Sequence, residues 1–325
     1  MKPTIKDIAD KAGVSIATVS RVLASKGDSY SKKTGRKVLK IAKEMGYRKN
    51  NTAVELVKKK GNVIAVIINA TPTNFSTQII DGIQKQANSL GQHVIILYAG
   101  NRSPELQHQA ILTALERAIS GILLVAIEPD QEDMKLLEGA GTPFCFVSLY
   151  LEQNNILAVS SNNRDVAYQA TNYLIGHGHK KIGLAGIDQY HTGSQRIDGY
   201  RLAMKEHQLD VEDDWIKLGD YSYASGLKLL GDFLSTRVTG IVAASDMVAA
   251  GLLNAAQQKG IQLPDQLSII SIDGTVICQI ATPALTSVTQ DFYTIGVESV
   301  NKVMGKKAPL FIPTHITKRS SVAEI

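Results

Sequence analysis

The sequence predicts an α/β protein in which a small three-helix head precedes a linker and a larger body of two parallel-sheet lobes. Three observations carry this reading. Residues 4–45 contain amphipathic stretches at helical spacing, interrupted by Gly13 and closed by Gly46. After Gly61, short β-rich apolar runs alternate with helical stretches of about 12 to 16 residues. The charge also changes sign along the chain. Residues 1–60 hold 13 Lys and 3 Arg against 3 Asp and 2 Glu, a net of +11, while all 325 residues together carry +5, which leaves −6 for residues 61–325.

In the head, Thr4 is placed to cap a first helix with Asp7 reaching back in a capping box, and Ile5, Ile8, Ala9 and Ala12 form its apolar stripe. Gly13 ends that helix. Ser15 caps a second one with Val14, Val19, Val22 and Leu23 on its buried face. Ile16, Ala17, Thr18, Ser20 and Arg21 are left outward, small and polar groups that suit a DNA major groove. A helix pair of this shape also occurs in domains that touch no DNA. A basic module on an acidic body tips the balance, because cations there displace counterions from phosphates. A third helix fits Ser31–Met45, capped by Ser31, with Val38, Leu39, Ala42 and Met45 on one face. The head is thus residues 1–46. Residues 47–60 form a basic hinge, too short and too charged to hold a helix in isolation.

The core, 61–325, reads as two series of βα units. Strands are expected at Val63–Ile68, Val94–Leu97, Gly121–Val125 and Phe144–Val147, then at Ile182–Ala185, Ile241–Ala243 and Leu267–Ile272. Helices fit Arg164–His177, Ser194–His207, Tyr223–Ser235 and Met247–Lys259. Such halves bind ligands beyond the carboxyl ends of their strands, so two facing halves make a cleft. A charged N-terminus and the lack of a long apolar run indicate neither export nor membrane spanning, and a cytoplasmic protein is expected. Cys145 and Cys278, in apolar surroundings, read as two buried thiols. No Walker loop and no GxGxxG after the first strand supports a nucleotide enzyme. His177 and His179, interleaved with Gly176 and Gly178, fit a helix end better than a metal site. No enzyme, cofactor or metal is expected.

Ordered landmarks run through the chain. They are Thr4-Ile5-Lys6-Asp7-Ile8-Ala9, Gly13-Val14-Ser15, Thr18-Val19-Ser20-Arg21-Val22-Leu23 and Gly46-Tyr47, then Asn50, Ala53 and Leu56. Gly178-His179-Lys180-Lys181-Ile182, Arg196-Ile197 with Gly199-Tyr200, Ser245-Asp246, Pro283, Leu285-Thr286-Ser287-Val288 and Gln290 follow. Over essentially its whole length the chain resembles the lactose- and galactose-repressor (LacI/GalR) family of bacterial transcription regulators. The resemblance implies a helix-turn-helix head, a hinge helix and a two-lobed core like the periplasmic sugar-binding proteins. The lobes would be 61–160 plus 289–317 and 161–288 plus 318–325, with chain crossings near 160, 289 and 317.

Arg21 is the expected base reader, since a guanidinium can meet guanine's paired acceptors bidentately. Ile16 and Ala17 occupy the family's operator-discriminating positions, where both can meet thymine methyls but form no bidentate bonds. Thr4, Ser15, Thr18, Ser20, Ser31, Thr34 and Tyr47 are expected near the DNA, mostly on phosphates, with simple capping as the rival role for the hydroxyls. The resemblance places Leu56 as a minor-groove wedge with Asn50 and Ala53 beside it. Lys49 replaces a usual proline and Glu55 faces phosphate unfavourably.

For the cleft, the resemblance offers Arg196, Asp246 and Asp273 as hydrogen-bonding groups, with helix capping the rival for Asp246. Tyr221 stands where a member of the family stacks a tryptophan on sugar, and a core role is equally open. Ser148 stands where that member has an aspartate. Phe75 and Gln290 complete the set. The implied function is a repressor of a carbohydrate-utilisation operon, with a sugar or sugar phosphate as effector, acting as a homodimer on a pseudo-palindromic operator. The chain's close at Ile325 without leucine heptads points to a dimer rather than a tetramer. The alternative is a catabolite-control regulator that needs a phosphorylated carrier protein or a sugar phosphate as co-repressor.

Overall fold

In a computed structural model, the described residues are 3–23, 30–47, 61–69, 73–151, 156–305 and 308–325. The chain forms two compact units, 1–60 and 61–325. In the first, α1 (Ile5–Ala12), α2 (Ile16–Leu23) and α3 (Lys32–Glu44) enclose a core of Ile8, Ala9, Ala12, Val19, Val22, Val38, Ile41 and Ala42. Gly13 ends α1 at φ +65°, a left-handed turn that glycine adopts without a Cβ penalty. One face was misread in the sequence. Leu39 is 54% exposed, and Ile41 fills the core instead. Both lie on apolar diagonals of α3, and packing against α1 and α2 decides between them.

The second unit has two six-stranded sheets. Lobe I contains β1 (Val63–Ile68), β2 (His93–Tyr98), β3 (Gly121–Val125), β4 (Phe144–Val147), β5 (Leu157–Ser160) and β11 (Leu310–Phe311), in the order β11-β5-β4-β3-β1-β2. Lobe II contains β6 (Ile182–Ile187), β7 (Ile216–Leu218), β8 (Gly240–Ala243), β9 (Ser268–Asp273), β10 (Thr286–Gln290) and β12 (Thr314–Thr317), in the order β12-β10-β9-β8-β6-β7. Every pairing is parallel except β10 with β12.

Helices cover the sheets. Lobe I carries α4 (Ser76–Ser89), α5 (Pro104–Leu115), α6 (Gln131–Gly139) and α12 (Phe292–Val303). Lobe II carries α7 (Asn163–Gly176), α8 (His191–Glu206), α9 (Tyr223–Leu234), α10 (Asp246–Gln258) and the short α11 (Ile277–Ile280). The central strand β1 shows why the sequence reads as an unbroken apolar run. Ile64, Val66 and Ile68 join the core on one side of the sheet, Ala65 and Ile67 the core on the other. The edge strand β2 instead exposes Ile96 and Tyr98.

The chain leaves lobe I after Ser160, returns at Asp291 and crosses again at Ile312–Pro313. The second and third crossings differ from the expected 289 and 317. Gln290 still pairs with Thr314, and Thr314–Thr317 belong to the sheet of lobe II. Cys145 and Cys278 are free and buried, and burial pushes both thiols up to about 12. His177 Nδ1 lies 2.8 Å from the Tyr173 carbonyl and buried His179 bonds Thr239 Oγ1 at 2.9 Å. Among the described residues no helix is long and apolar enough to cross a membrane.

Candidate functional site

The head presents α2 as an exposed ridge. Ile16 is 53% exposed, and Ala17, Ser20 and Arg21 are also exposed. Ser15 and Ser31 are helix caps, with Thr18 N donating to Ser15 Oγ at 3.1 Å and Thr34 N to Ser31 Oγ at 3.1 Å. Each serine hydroxyl also bonds its threonine hydroxyl, at 2.9 Å for Ser15–Thr18 and 2.8 Å for Ser31–Thr34. One proton of each pair is used between the two hydroxyls, and the other stays available to an external acceptor. Thr4 differs. Its hydroxyl and its backbone N–H both donate to Asp7 Oδ2 at 2.7 Å, so the capping box leaves it no donor for a phosphate. Tyr47 is half-buried against the head core. Asn50, Ala53 and Leu56 lie outside the described residues.

Between the lobes lies a cavity of about 350 Å³. Its walls are built where strands end. Ala126 follows β3 and Ser148 follows β4; Asp188 follows β6; Tyr221 comes after β7; Asp273 closes β9 and Gln290 closes β10. Phe75 also lines it, stacked on Phe292 at 5.1 Å between ring centroids. Of the eight non-glycine residues with positive φ among the described residues, five line this cavity: Arg102, Ala126, Ser148, Tyr221 and Asp273. Such backbone strain gathers at ligand sites, where the surrounding structure over-determines it.

Arg196 is 6% exposed. Its Nε donates to Asn163 Oδ1 at 3.0 Å and its Nη1 to the Ala244 carbonyl at 2.6 Å, and the guanidinium lies 5.7 Å over the Tyr221 ring. Asp273 accepts from Gln290 Nε2 at 2.9 Å. Burial pushes its carboxyl up to about 8, the charge of Asp246 adds to the shift, and Arg196 opposes it. At neutral pH Asp273 is therefore a neutral acid able to donate as well as accept.

Six of the seven sequence-predicted cleft residues line this one cavity, namely Phe75, Ser148, Arg196, Tyr221, Asp273 and Gln290. Asp246 does not. It is 1% exposed and its oxygens are filled by Ser271 Oγ, the N–H groups of Gly274 and Thr275, and Cys278 Sγ. The helix cap beside it is Ser245, which receives Val248 N and donates to the Tyr221 carbonyl. Asp246 thus fixes the turn after Asp273 from behind the cavity wall.

Sequence reasoning missed Arg102, Asp188 and Tyr190. Asp188 accepts from Arg102 Nη2 at 2.6 Å, Tyr221 Oη at 3.0 Å and Tyr190 N at 3.2 Å. The Arg102 guanidinium sits 3.9 Å over the Tyr190 ring. Arg102 belongs to lobe I and the other three to lobe II, so this cluster ties the lobes together across the cleft. One signal was available, since Asp188 stands just past a strand, as does the residue run that pointed to Asp273. Gly193 supports it, because a Cβ there would lie 2.1 Å from the Asp188 carbonyl oxygen.

Comparison with known proteins agrees with this geometry. Residues 4–50 match "Bacterial regulatory proteins, lacI family" and residues 171–322 match "Periplasmic binding protein-like domain". The chain is 30% identical to Catabolite control protein A of Priestia megaterium, over 94% of each chain. It is similar to a transcription regulator from Lactobacillus plantarum, with 42% identity, a TM-score of 0.73, and coverage of 82% of this chain and 100% of that one. The Lac repressor dimer bound to operator and the anti-inducer ONPF gives 25% identity and a TM-score of 0.89 over 99% and 100% of the two chains. The cellobiose complex of the transcriptional regulator CelR gives 25% identity and a TM-score of 0.73 over 98% and 99%. With a helix-turn-helix head, two parallel-sheet lobes and relatives that are transcription regulators along nearly their whole length, the chain belongs to the lacI family of bacterial regulatory proteins.

Proposed function

We propose that this protein is a homodimeric repressor of a carbohydrate-utilisation operon, whose affinity for a near-palindromic operator changes when a sugar seats between lobes I and II. The observation that carries the reading is a cavity in which Arg196, Asp273 and Gln290 of one lobe face Ser148 and Phe75 of the other. Planar hydrogen-bonding groups serve sugar hydroxyls, and the aromatic rings serve the C–H faces. With Nε and Nη1 of Arg196 bonded to protein, its Nη2 is the edge offered to ligand. Arg21 reads base edges in the major groove, while Ser15, Thr18, Ser20, Ser31 and Thr34 set register on phosphates. Tyr47 and the hinge 47–60 join the operator contact through Asn50, Ala53 and Leu56.

The effector acts by changing how the lobes close, through groups such as Arg102 and Asp188 that meet across the cleft. Coupling is reciprocal, so operator weakens or strengthens effector binding by the factor that effector applies to operator. The charges favour an uncharged sugar over a sugar phosphate. Arg102 is paired with Asp188, and the carboxylate of Asp220 offsets Arg196 in the same cavity, where Asp273 is protonated and adds a neutral donor. Similarity to Catabolite control protein A favours a second reading, in which a phosphorylated carrier protein is the co-repressor.

Anisotropy of a labelled operator, isolated by footprinting on the protein's own genomic neighbourhood, tests both. A single sugar that shifts operator affinity at fixed salt supports the first reading; a shift that needs the phosphorylated carrier supports the second. Binding that has a salt slope but no preferred sequence, and that no sugar alters, would exclude the proposal.

A further inference from the structure

A second cavity of about 290 Å³ adjoins the first, and Arg102, Ala126, Tyr190 and Thr192 line both. Resting on the carbohydrate reading, we infer that the cleft holds two sugar subsites, so that the effector is a neutral oligosaccharide of at least two linked rings that cross the shared Arg102–Tyr190 wall. Each cavity alone is near the lower end of the roughly 300–1,000 Å³ typical of small-molecule sites. Together they accommodate a larger ligand than either does alone.

The second chamber has the equipment of a hydroxyl-binding site. Asn69 is 5% exposed, and its Nδ2 donates to the Ala126 carbonyl at 2.6 Å. Its Oδ1 is buried with no hydrogen-bond partner among the described residues. A buried acceptor left unpaired is costly, and a ligand hydroxyl supplies the missing donor. Gln107 is 7% exposed, held by Nε2 donating to the Glu128 carbonyl at 3.3 Å. The carboxylates of exposed Glu128 and Asp130 add acceptors at the rim. Tyr190, 51% exposed, carries Arg102 over its ring and stands between the chambers as an aromatic platform.

Charge selects the ligand class. Arg102 is the single cation lining this chamber among the described residues, it is spent on Asp188, and it faces two carboxylates. A phosphorylated or acidic sugar would meet net negative charge there, whereas a neutral one finds paired donors and acceptors.

Isothermal titration of the full-length protein with glucose, galactose and fructose, and with cellobiose, maltose, lactose and sucrose, tests this. At least one disaccharide is expected to bind tenfold or more tightly than either of its component monosaccharides. Asn69→Ala and Glu128→Ala should each weaken that disaccharide at least threefold and leave monosaccharide affinity within twofold. Arg196→Ala should weaken both ligands. Glu128 is exposed, so its variant carries the test if Asn69→Ala fails to fold. Equal affinity for one ring and two, or chamber variants that weaken both ligands by one factor, would overturn the second subsite while leaving the carbohydrate reading intact. A wild-type protein that binds no sugar in the panel at millimolar concentration would overturn both.

Discussion

The head and the cleft solve the problem of placing functional side chains in opposite ways. In the head the proposed contact groups are exposed or half-buried and set by bonds that span three residues, such as Ser15 to Thr18 and Ser31 to Thr34. In the cleft the groups are mostly buried or half-buried and held by bonds between distant segments, such as Arg102 to Asp188 across 86 positions and Arg196 to Ala244 across 48. A surface reader needs rigid local helices and side chains free to meet a partner. A pocket needs most of its polar groups satisfied before the ligand arrives, because burial makes each unpaired group costly, and leaves only a few, such as Asn69 Oδ1, for the ligand to pair.

The largest expected effect tests the burial half of this contrast. The carboxyl of Asp273 is held near 8 in the fold against an ordinary 3.8, so the folded chain holds one more proton than the unfolded chain between those values. Stability therefore falls as pH rises from about 4 to about 8, by up to about 1.4 kcal/mol per pH unit, and levels off above. Asp273→Asn keeps the acceptor for Gln290 and removes that slope. Its melting temperature should match wild type near pH 4 and exceed it at pH 9. A parallel pair of pH–melting curves would mean Asp273 titrates normally.

Next, Arg196→Ala should cost about 100-fold or more in sugar affinity by calorimetry, since charged hydrogen bonds contribute about 1.5–3 kcal/mol each. Operator affinity in the absence of sugar should hardly move. Arg21→Ala should do the reverse. It removes about 1–3 kcal/mol of operator affinity in an anisotropy titration, with melting temperature and sugar binding unchanged, because the side chain is exposed. Loss of both activities in either variant would break the separation between the two regions. The smallest effect belongs to a cap: Ser31→Ala should lower amide-exchange protection in α3 by about 1 kcal/mol and leave the core strands unaltered.

The same contrast explains what could be read before any coordinates. Helix caps, the Gly13 turn and the apolar faces of α1 and α2 follow from spacing within four residues, and the sequence displays them directly. The face of α3 was ambiguous, with Val38-Leu39 and Ile41-Ala42 both apolar, and only the packed core puts Leu39 outside. The alternation of strands and helices followed from apolar runs bounded by polar ones. The ends of β10 and the start of β12 did not, because an antiparallel edge strand of four residues leaves little pattern.

In the cleft, position just past a strand pointed to Asp273 and equally to Asp246, yet one carboxyl lines the cavity and the other is consumed behind it. Strand position cannot tell where a side chain points. Arg102 and Tyr190 lie in loops without periodicity, and their partnership with Asp188 exists only once the two lobes meet.

The left-handed backbone at Arg102, Ala126, Ser148, Tyr221 and Asp273 also limits how this protein can change its ligand over evolutionary time. Valine, isoleucine and threonine tolerate that conformation poorly, whereas asparagine, aspartate and glycine accept it. Replacements at these five positions are thereby channelled toward small or polar side chains, and new specificities are reached more readily by exchanges at Phe75, Gln290 and Thr192, where the backbone imposes no such filter.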